Sequence, residues 1–170
     1  MALSQNTKNE VEKRINAEEM PAPALALLQE MPIENRVKYY FESDGDNESF
    51  EAKFKFNKHK YSVEFSTSGE LQDIEIAYDL DEIDPQIAGL IEQDLKARFE
   101  RHKIEKLQKQ FSSTLWQQAF SSQNPDGYEL IVATKNKENK LSNLEITYDK
   151  NGNFVNSRKV LRRSYDFILF

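Results

Sequence analysis

The chain has 170 residues, of which 38% are hydrophobic, 11% aromatic and 31% charged, a composition typical of folded rather than disordered proteins. Its 23 basic and 29 acidic residues give a formal net charge of −6, which does not suit non-specific binding to nucleic acid. The absence of cysteine excludes disulfides, thiol nucleophiles and cysteine-ligated zinc. No apolar run approaches the roughly 18 residues of a membrane span, so membrane insertion is not expected.

The N-terminal region predicts two short helices. Residues 1–6 are expected to be disordered or an added N-terminus, and they are too short and polar for a signal peptide. Thr7 and Glu10 fit a capping box, which predicts a helix that continues to Ile15. Prolines at positions 21 and 23 interrupt it, and a second helix follows with a leucine-rich buried side.

The next part of the chain predicts an antiparallel meander. Asn35–Glu42 alternates, with Val37, Tyr39 and Phe41 facing in and Arg36, Lys38 and Tyr40 facing out. Three further runs between Phe50 and Tyr78 alternate in the same way, each bounded by turn residues. This pattern indicates a sheet with one dry face and one wet face, which needs helices as a cover.

The second half of the chain predicts a similar order of elements. Asp84 and Pro85 are strong helix-start residues, and apolar residues then recur at helical spacing as far as Phe99. We expect this helix to pack on the sheet built from Phe54, Phe65 and Ile76. Later elements are a strand at Lys103–Phe111, a short helix at Ser113–Phe120, and strands at Tyr128–Thr134, Leu141–Tyr148 and Phe154–Leu161. The terminal segment, Tyr165–Phe170, is too apolar for a free tail.

The two halves resemble each other, which indicates an internal repeat. Each places a proline-led helix before an aromatic–Glu strand and a hairpin that ends in glycine. The predicted fold class is therefore α+β: a tandem repeat of helix plus antiparallel β-sheet, about four strands each, with helices packed on one sheet face. The predicted boundaries are 7–80 for the first repeat and 81–170 for the second.

Several short motifs carry a resemblance to a known family. They are Arg14-Ile15, Met20-Pro21, Tyr61-x-Val63-x-Phe65-x-x-x-Gly69-x-Leu71, Ile83-Asp84-Pro85-x-Ile87 and Lys103-Ile104-x-Lys106. This pattern resembles the PepSY-like family of bacterial cell-envelope proteins, which is similar in fold to the β-lactamase inhibitor protein. The resemblance implies a periplasmic or extracellular protein that binds, and in some cases inhibits, other proteins. It supplies no catalytic residues.

No constellation of residues predicts catalysis, a metal site or a cofactor. His59 and His102 form no zinc-binding spacing, and both are predicted to be surface residues. The acidic turns at 44–48 and 149–153 begin like calcium loops, but lack the glycine and the glutamate that such loops need, and are better interpreted as hairpin turns. Phosphate-binding glycine motifs are absent.

The function predicted from these observations is a non-catalytic protein-binding module of the bacterial cell envelope, in some cases an inhibitor. The alternatives are a small-ligand carrier, with a pocket between sheet and helices, and an enzyme of unidentified chemistry. Neither the protein partner nor the oligomeric state follows from the sequence. The predicted partner-binding residues lie on the wet face of the first repeat: Arg36, Lys38, Tyr40, Lys53 and Lys55. The loop around Trp116 is a second candidate.

Overall fold

The computed structural model describes residues 7–121, 124–136, 138 and 140–161. Nine strands lie within these ranges, in chain order: β1 (Glu10–Ile15), β2 (Lys38–Asp44), β3 (Asn47–Phe56), β4 (His59–Ser66), β5 (Leu71–Tyr78), β6 (Arg101–Ser112), β7 (Gly127–Lys135), β8 (Leu141–Asp149) and β9 (Phe154–Lys159). The α-helices of the same ranges are α1 (Ala22–Glu30) and α2 (Pro85–Arg98). Short 3₁₀ helices cover Ala17–Glu19, Leu80–Glu82 and Ser113–Phe120.

All nine strands form one sheet in which each strand pairs antiparallel with the next in the chain. The two edges of the sheet meet at one corner, where Lys8 forms a parallel bridge with Val160. There the amide of Lys8 donates to the carbonyl of Lys159 at 2.8 Å, and the amide of Leu161 donates to the carbonyl of Lys8 at 3.0 Å. The sheet is therefore strongly curled, which follows from accumulated strand twist.

The predicted fold class, a tandem repeat of helix plus four-stranded sheet, is wrong. The protein is mostly β, because β5 pairs directly with β6 and the sheet continues across the predicted boundary. Side-chain alternation predicts strands, but it carries no information about which strand pairs with the exposed edge of β5. The division into residues 7–80 and 81–170 stays a prediction.

The predicted helix over Thr7–Ile15 is also wrong, because this segment contains β1. Its six residues pair with β2 from Glu10↔Asp44 to Ile15↔Tyr39. A helix this short is marginal in isolation, whereas the open edge of β2 offers a complete ladder of backbone hydrogen bonds. The tertiary pairing therefore outweighs the local capping signal. Residues 1–6 and Tyr165–Phe170 lie outside the described residues.

The predicted start of α2 is confirmed. The Asp84 carboxylate accepts hydrogen bonds from the amides of Gln86, at 2.8 Å, and Ile87, at 3.3 Å, and Pro85 occupies the first helical turn. The predicted strand at Asn35–Glu42 is confirmed in part, because β2 covers Lys38–Asp44, and the three runs of the meander are confirmed as β3 to β5.

One face of the sheet is apolar and contributes to two hydrophobic clusters. The first contains Phe54, Phe65 and Ile76 together with Ala24 and Leu28 of α1. The second contains Ile91 and Leu95 of α2 with strand residues, which are Leu107, Tyr128, Leu130, Val132, Ile146 and Tyr148. The expectation that α2 packs on Phe54, Phe65 and Ile76 is therefore wrong. A short connection leads from α2 into β6, which keeps α2 near β6 and its neighbours.

Within the described ranges, neither helix combines the length and apolar character needed to cross a membrane.

Candidate functional site

The polar face of the sheet is substantially buried. Glu42, Glu51, Gln108 and Glu145 are only 4–8% exposed, although they alternate with core residues on their strands. The expectation of a wet face is wrong at these positions, because the curled sheet wraps around its polar side. A cavity of about 760 Å³ lies on this side. We call it the acidic cavity; its carboxylates include Glu10, Glu12, Glu42, Glu51, Glu64, Asp73, Glu75 and Glu129.

The strand register places carboxylates directly opposite one another in the acidic cavity. Glu12 faces Glu42 across β1 and β2, and Glu64 faces both Glu51 on β3 and Asp73 on β5. Like charges in opposite positions of adjacent strands destabilise a sheet. This arrangement therefore costs stability, which is typical of a surface retained for binding.

Three cations balance part of this negative charge. Lys53 Nζ lies 2.5 Å from Glu12 Oε1 and 2.8 Å from Glu51 Oε2. Lys8 Nζ lies 2.9 Å from both Glu10 Oε2 and Glu145 Oε2. These pairs connect β3 with β1 across the intervening β2, and the segment that precedes β1 with β8.

The third cation, Arg158, joins the two ends of the sheet. Its Nε lies 2.5 Å from Glu145 Oε1 on β8, and its Nη1 lies 3.3 Å from Asp44 Oδ2 on β2. Because Arg158 belongs to β9, the contact with Asp44 bridges the curled edges. The ion pairs therefore stabilise the closure that creates the cavity.

The paired groups have correspondingly shifted pKa values. Burial acts to lower the pKa of Lys8, but the nearby Glu10, Glu129 and Glu145 carboxylates outweigh it and raise that pKa. Burial likewise acts to raise the pKa of Glu145, whereas Arg158 and Lys8 lower it overall. These groups therefore remain charged across the physiological pH range.

A second set of carboxyls has no ion-pair partner among the described residues: Glu42, Glu64, Asp73, Glu75 and Glu129. Burial, followed by repulsion from Glu75, Glu64 and Glu51, raises the pKa of Asp73 to about 8. Burial and the nearby Glu51 and Glu10 raise the pKa of Glu42 to about 12. Gln110 Nε2 donates to Glu75 Oε1 at 3.0 Å and to Glu129 Oε2 at 3.3 Å. The cavity therefore carries carboxyls that a cationic ligand would neutralise.

The structure places four of the predicted partner-binding residues, Tyr40 and the three lysines, on this face of the sheet, but not all at the surface. Tyr40 is 1% exposed, so the idea that it is an exposed hot-spot aromatic is wrong. Lys53 is ion-paired and lies over the Tyr40 ring, 4.9 Å from its centroid. Lys38, opposite Lys53, is half-buried, whereas Arg36 and Lys55 are exposed. Trp116, in the second candidate region, is partly buried against the first cluster.

Sequence reasoning missed most of the acidic cavity. Glu10 and Glu12 were assigned to a helix, and so they could not be placed beside Glu42. Alternation predicts the wet face for Lys53, and the same period of two puts Glu51 and Glu64 on that face. The turn predicted at 149–153 is confirmed, because the Asp149 carboxylate accepts from the amides of Asn151 and Asn153. The predicted surface position of His59 is wrong in part: its ring is half-buried and stacks on Tyr78 at 4.1 Å.

Comparison with known proteins identifies the fold. No family model and no curated protein matches the sequence. A DUF2874 family protein from Bacteroides ovatus superposes with a TM-score of 0.58 at 15% identity, over 88% of this chain and 93% of that one. A BLIP-like protein from Bacteroides fragilis superposes with a TM-score of 0.53 at 12% identity, over 85% and 89%.

A predicted periplasmic protein from Bacteroides eggerthii gives a TM-score of 0.56 at 15% identity, with coverage of 82% of this chain and 88% of that one. These likenesses establish a BLIP-like fold for the chain. They support the resemblance to the fold of the β-lactamase inhibitor protein that the sequence indicates. They do not show the resemblance to the PepSY-like family.

Proposed function

We propose that this protein is a non-catalytic module of the bacterial cell envelope that binds another protein through the charged, curled face of its sheet. The observation that carries this proposal is the acidic cavity, which is lined by several carboxyls that have no ion-pair partner among the described residues. The fold shared with a BLIP-like protein and a predicted periplasmic protein supports both the role and the compartment. Inhibition of the partner is the more specific form of the same proposal.

The partner's contact surface would extend from the acidic cavity to the basic end of the same face. Register places Lys38 beside Lys53, and Lys55 opposite Lys60 on β4. Arg36 lies just before β2 and is exposed. A partner that complements this face would present basic groups to the cavity and acidic groups to the lysines. Such complementarity favours specificity and fast association.

The test begins by locating the contact in the bacterium that encodes the protein. A photo-crosslinking residue replaces Lys38 or Lys55, and in a matched control it replaces Gln93, which is exposed on α2. We expect one envelope protein to be cross-linked from the first two positions and not from the third. Cross-linking from Gln93 alone would place the interface on the helix side and overturn the proposal.

The identified partner is then titrated calorimetrically. Lys38→Glu with Lys55→Glu should weaken binding by at least about tenfold, because reversed charges oppose the acidic groups of the partner. Lys96→Glu on α2 is the matched control and should leave the affinity unchanged. Equal affinity of the folded double variant and the parent would contradict the proposed surface.

A small-ligand carrier is the second candidate, favoured by the cavity volume, which lies within the usual range for ligand sites. The carrier predicted from the sequence had its pocket between sheet and helices. The acidic cavity instead lies on the opposite, polar side and is lined by strands and loops. A carrier would therefore take a polar, cationic ligand rather than an apolar one.

A further inference from the structure

We propose that Glu10, Glu12 and Glu42 form a binding site for a divalent cation, Ca²⁺, on the wall of the acidic cavity. Each residue offers one carboxylate oxygen, and the three oxygens lie within 4.8 Å of one another. Oxygens bound to one Ca²⁺ at about 2.3–2.6 Å are separated by at most roughly 4.6–5.2 Å. The three groups therefore lie within the span that one Ca²⁺ ion bridges. Calcium also accepts several carboxylate ligands, whereas Mg²⁺ usually keeps several waters and takes one or two carboxylates.

The side chain of Glu42 supplies independent evidence for a ligand. Glu42 is 7% exposed, and its Oε1 atom has no hydrogen-bond partner among the described residues. A buried carboxylate oxygen without a partner is costly, and each such atom in a native structure requires an explanation. Because Glu42 lines the cavity beside Glu10 and Glu12, a cation bound there satisfies it.

The backbone pairing explains how the three carboxylates come together. Glu12 is directly opposite Glu42, and Glu10 lies two residues before Glu12, on the same face of β1. Adjacent strands hold these positions rigidly, as a metal site requires. A shared cation brings the facing Glu12 and Glu42 carboxyls into one coordination sphere, which gives this pairing of acidic residues a physical role.

The neighbouring lysines set the expected affinity. Lys8 contacts Glu10 through Oε2, and Lys53 contacts Glu12 through Oε1, so each carboxylate has a second oxygen for a metal ion. Glu51 adds a fourth carboxylate, so four acidic groups adjoin two ammonium groups. The lysines repel an incoming cation, and the dissociation constant is therefore expected near the weak range of extracellular calcium modules, about 10⁻⁴–10⁻³ M.

The experiment titrates the purified chain with CaCl₂ at constant ionic strength, by calorimetry and by thermal unfolding. We expect saturable binding of one Ca²⁺ and a rise in the unfolding temperature. Glu42→Gln should weaken binding at least about tenfold, because a side-chain amide is a weaker Ca²⁺ ligand than a carboxylate. Glu64→Gln is the matched control: Glu64 lines the same cavity but is not one of the three ligands, and the affinity should change less than about threefold.

Absence of binding up to about 10 mM CaCl₂, well above the expected dissociation constant, would overturn the proposal. So would equal losses in Glu42→Gln and Glu64→Gln, which would indicate a diffuse ion atmosphere. A parallel titration with MgCl₂ that binds more tightly would overturn the choice of calcium. If Glu42→Gln is not folded by circular dichroism, Glu10→Gln takes its place with the same expected loss. The calcium site does not depend on the proposed protein partner.

Discussion

Both faces of this single sheet contain buried residues, but the surroundings of those residues are opposite in character. On the apolar face, Phe65, Ile76 and Ile146 are 0–1% exposed within the two hydrophobic clusters. On the polar face, Glu42 and Glu145 are 5–7% exposed inside a curled, charged surface. Successive residues of one strand point to opposite faces, so the same backbone serves both environments.

The difference shows where stability and binding capacity reside. Apolar burial is non-directional and contributes about 25 cal/mol per Å² of buried area, so it depends on the area removed from water rather than on one particular partner. A buried charge must instead be balanced by a particular partner, and the net gain is small even when it is. We therefore assign most of the folding free energy to the apolar face and ligand recognition to the polar face.

The largest expected effect is on the apolar face. Ile76→Asp places an unpaired carboxylate in the first cluster, where Ile76 is 1% exposed, and should lower the free energy of unfolding by roughly 3–5 kcal/mol. Leu141→Asp, at a position of β8 that is 79% exposed, is the matched control and should be nearly neutral. Urea unfolding measures both. An unchanged midpoint for Ile76→Asp would show that this face does not dominate stability.

A smaller effect is expected where charges close the sheet. Arg158→Met leaves the buried Glu145 and the Asp44 carboxylate without that cation, and should cost about 2–3 kcal/mol in urea unfolding. Combining it with Glu145→Leu should recover part of this loss, because it removes a buried carboxylate that would otherwise keep only Lys8 as its partner. If Glu145→Leu lowers the free energy of unfolding of the Arg158→Met variant as much as it lowers that of the parent, the two residues are not coupled.

The smallest expected effect is a pH dependence of the free energy of unfolding that arises from the polar face. The pKa of Asp73 is raised from an ordinary value near 3.8 to about 8 by burial and by Glu75, Glu64 and Glu51, with Lys8 opposing. Between these values the folded state binds more protons than the unfolded state, so the free energy of unfolding falls as pH rises from about 4 to 8. Glu64 and Glu129, whose pKa values are also raised, act in the same direction.

Asp73→Asn removes one of these groups and should flatten the pH dependence. Relative to the parent, the variant should gain about 1–2 kcal/mol at pH 8 and little at pH 4. Urea unfolding at both pH values provides the measurement. An Asp73→Asn gain of equal size at both pH values would mean that packing, rather than ionisation, is responsible.

Much of the secondary structure could be predicted from the sequence, because local rules decide it. Asp84 and Pro85 specify the start of α2 through a cap and a fixed backbone angle. Alternation of Phe54, Tyr61 and Val63 with polar neighbours specifies strands and the face that each residue occupies. The segment at Glu10–Ile15 shows the limit of such rules. Its capping signal predicts a helix, but pairing with β2 makes it a strand.

Sequence alone determined that this chain forms antiparallel strands with one apolar and one charged face, and that it lacks cysteine chemistry. Only the tertiary structure decided that β5 pairs with β6, that the sheet curls until Lys8 reaches Val160, and that Glu42 and Glu145 are thereby buried. The physical reason is the range of the interactions. Alternation and capping depend on neighbours a few residues apart, whereas curling accumulates over all nine strands and brings together residues about 150 positions apart.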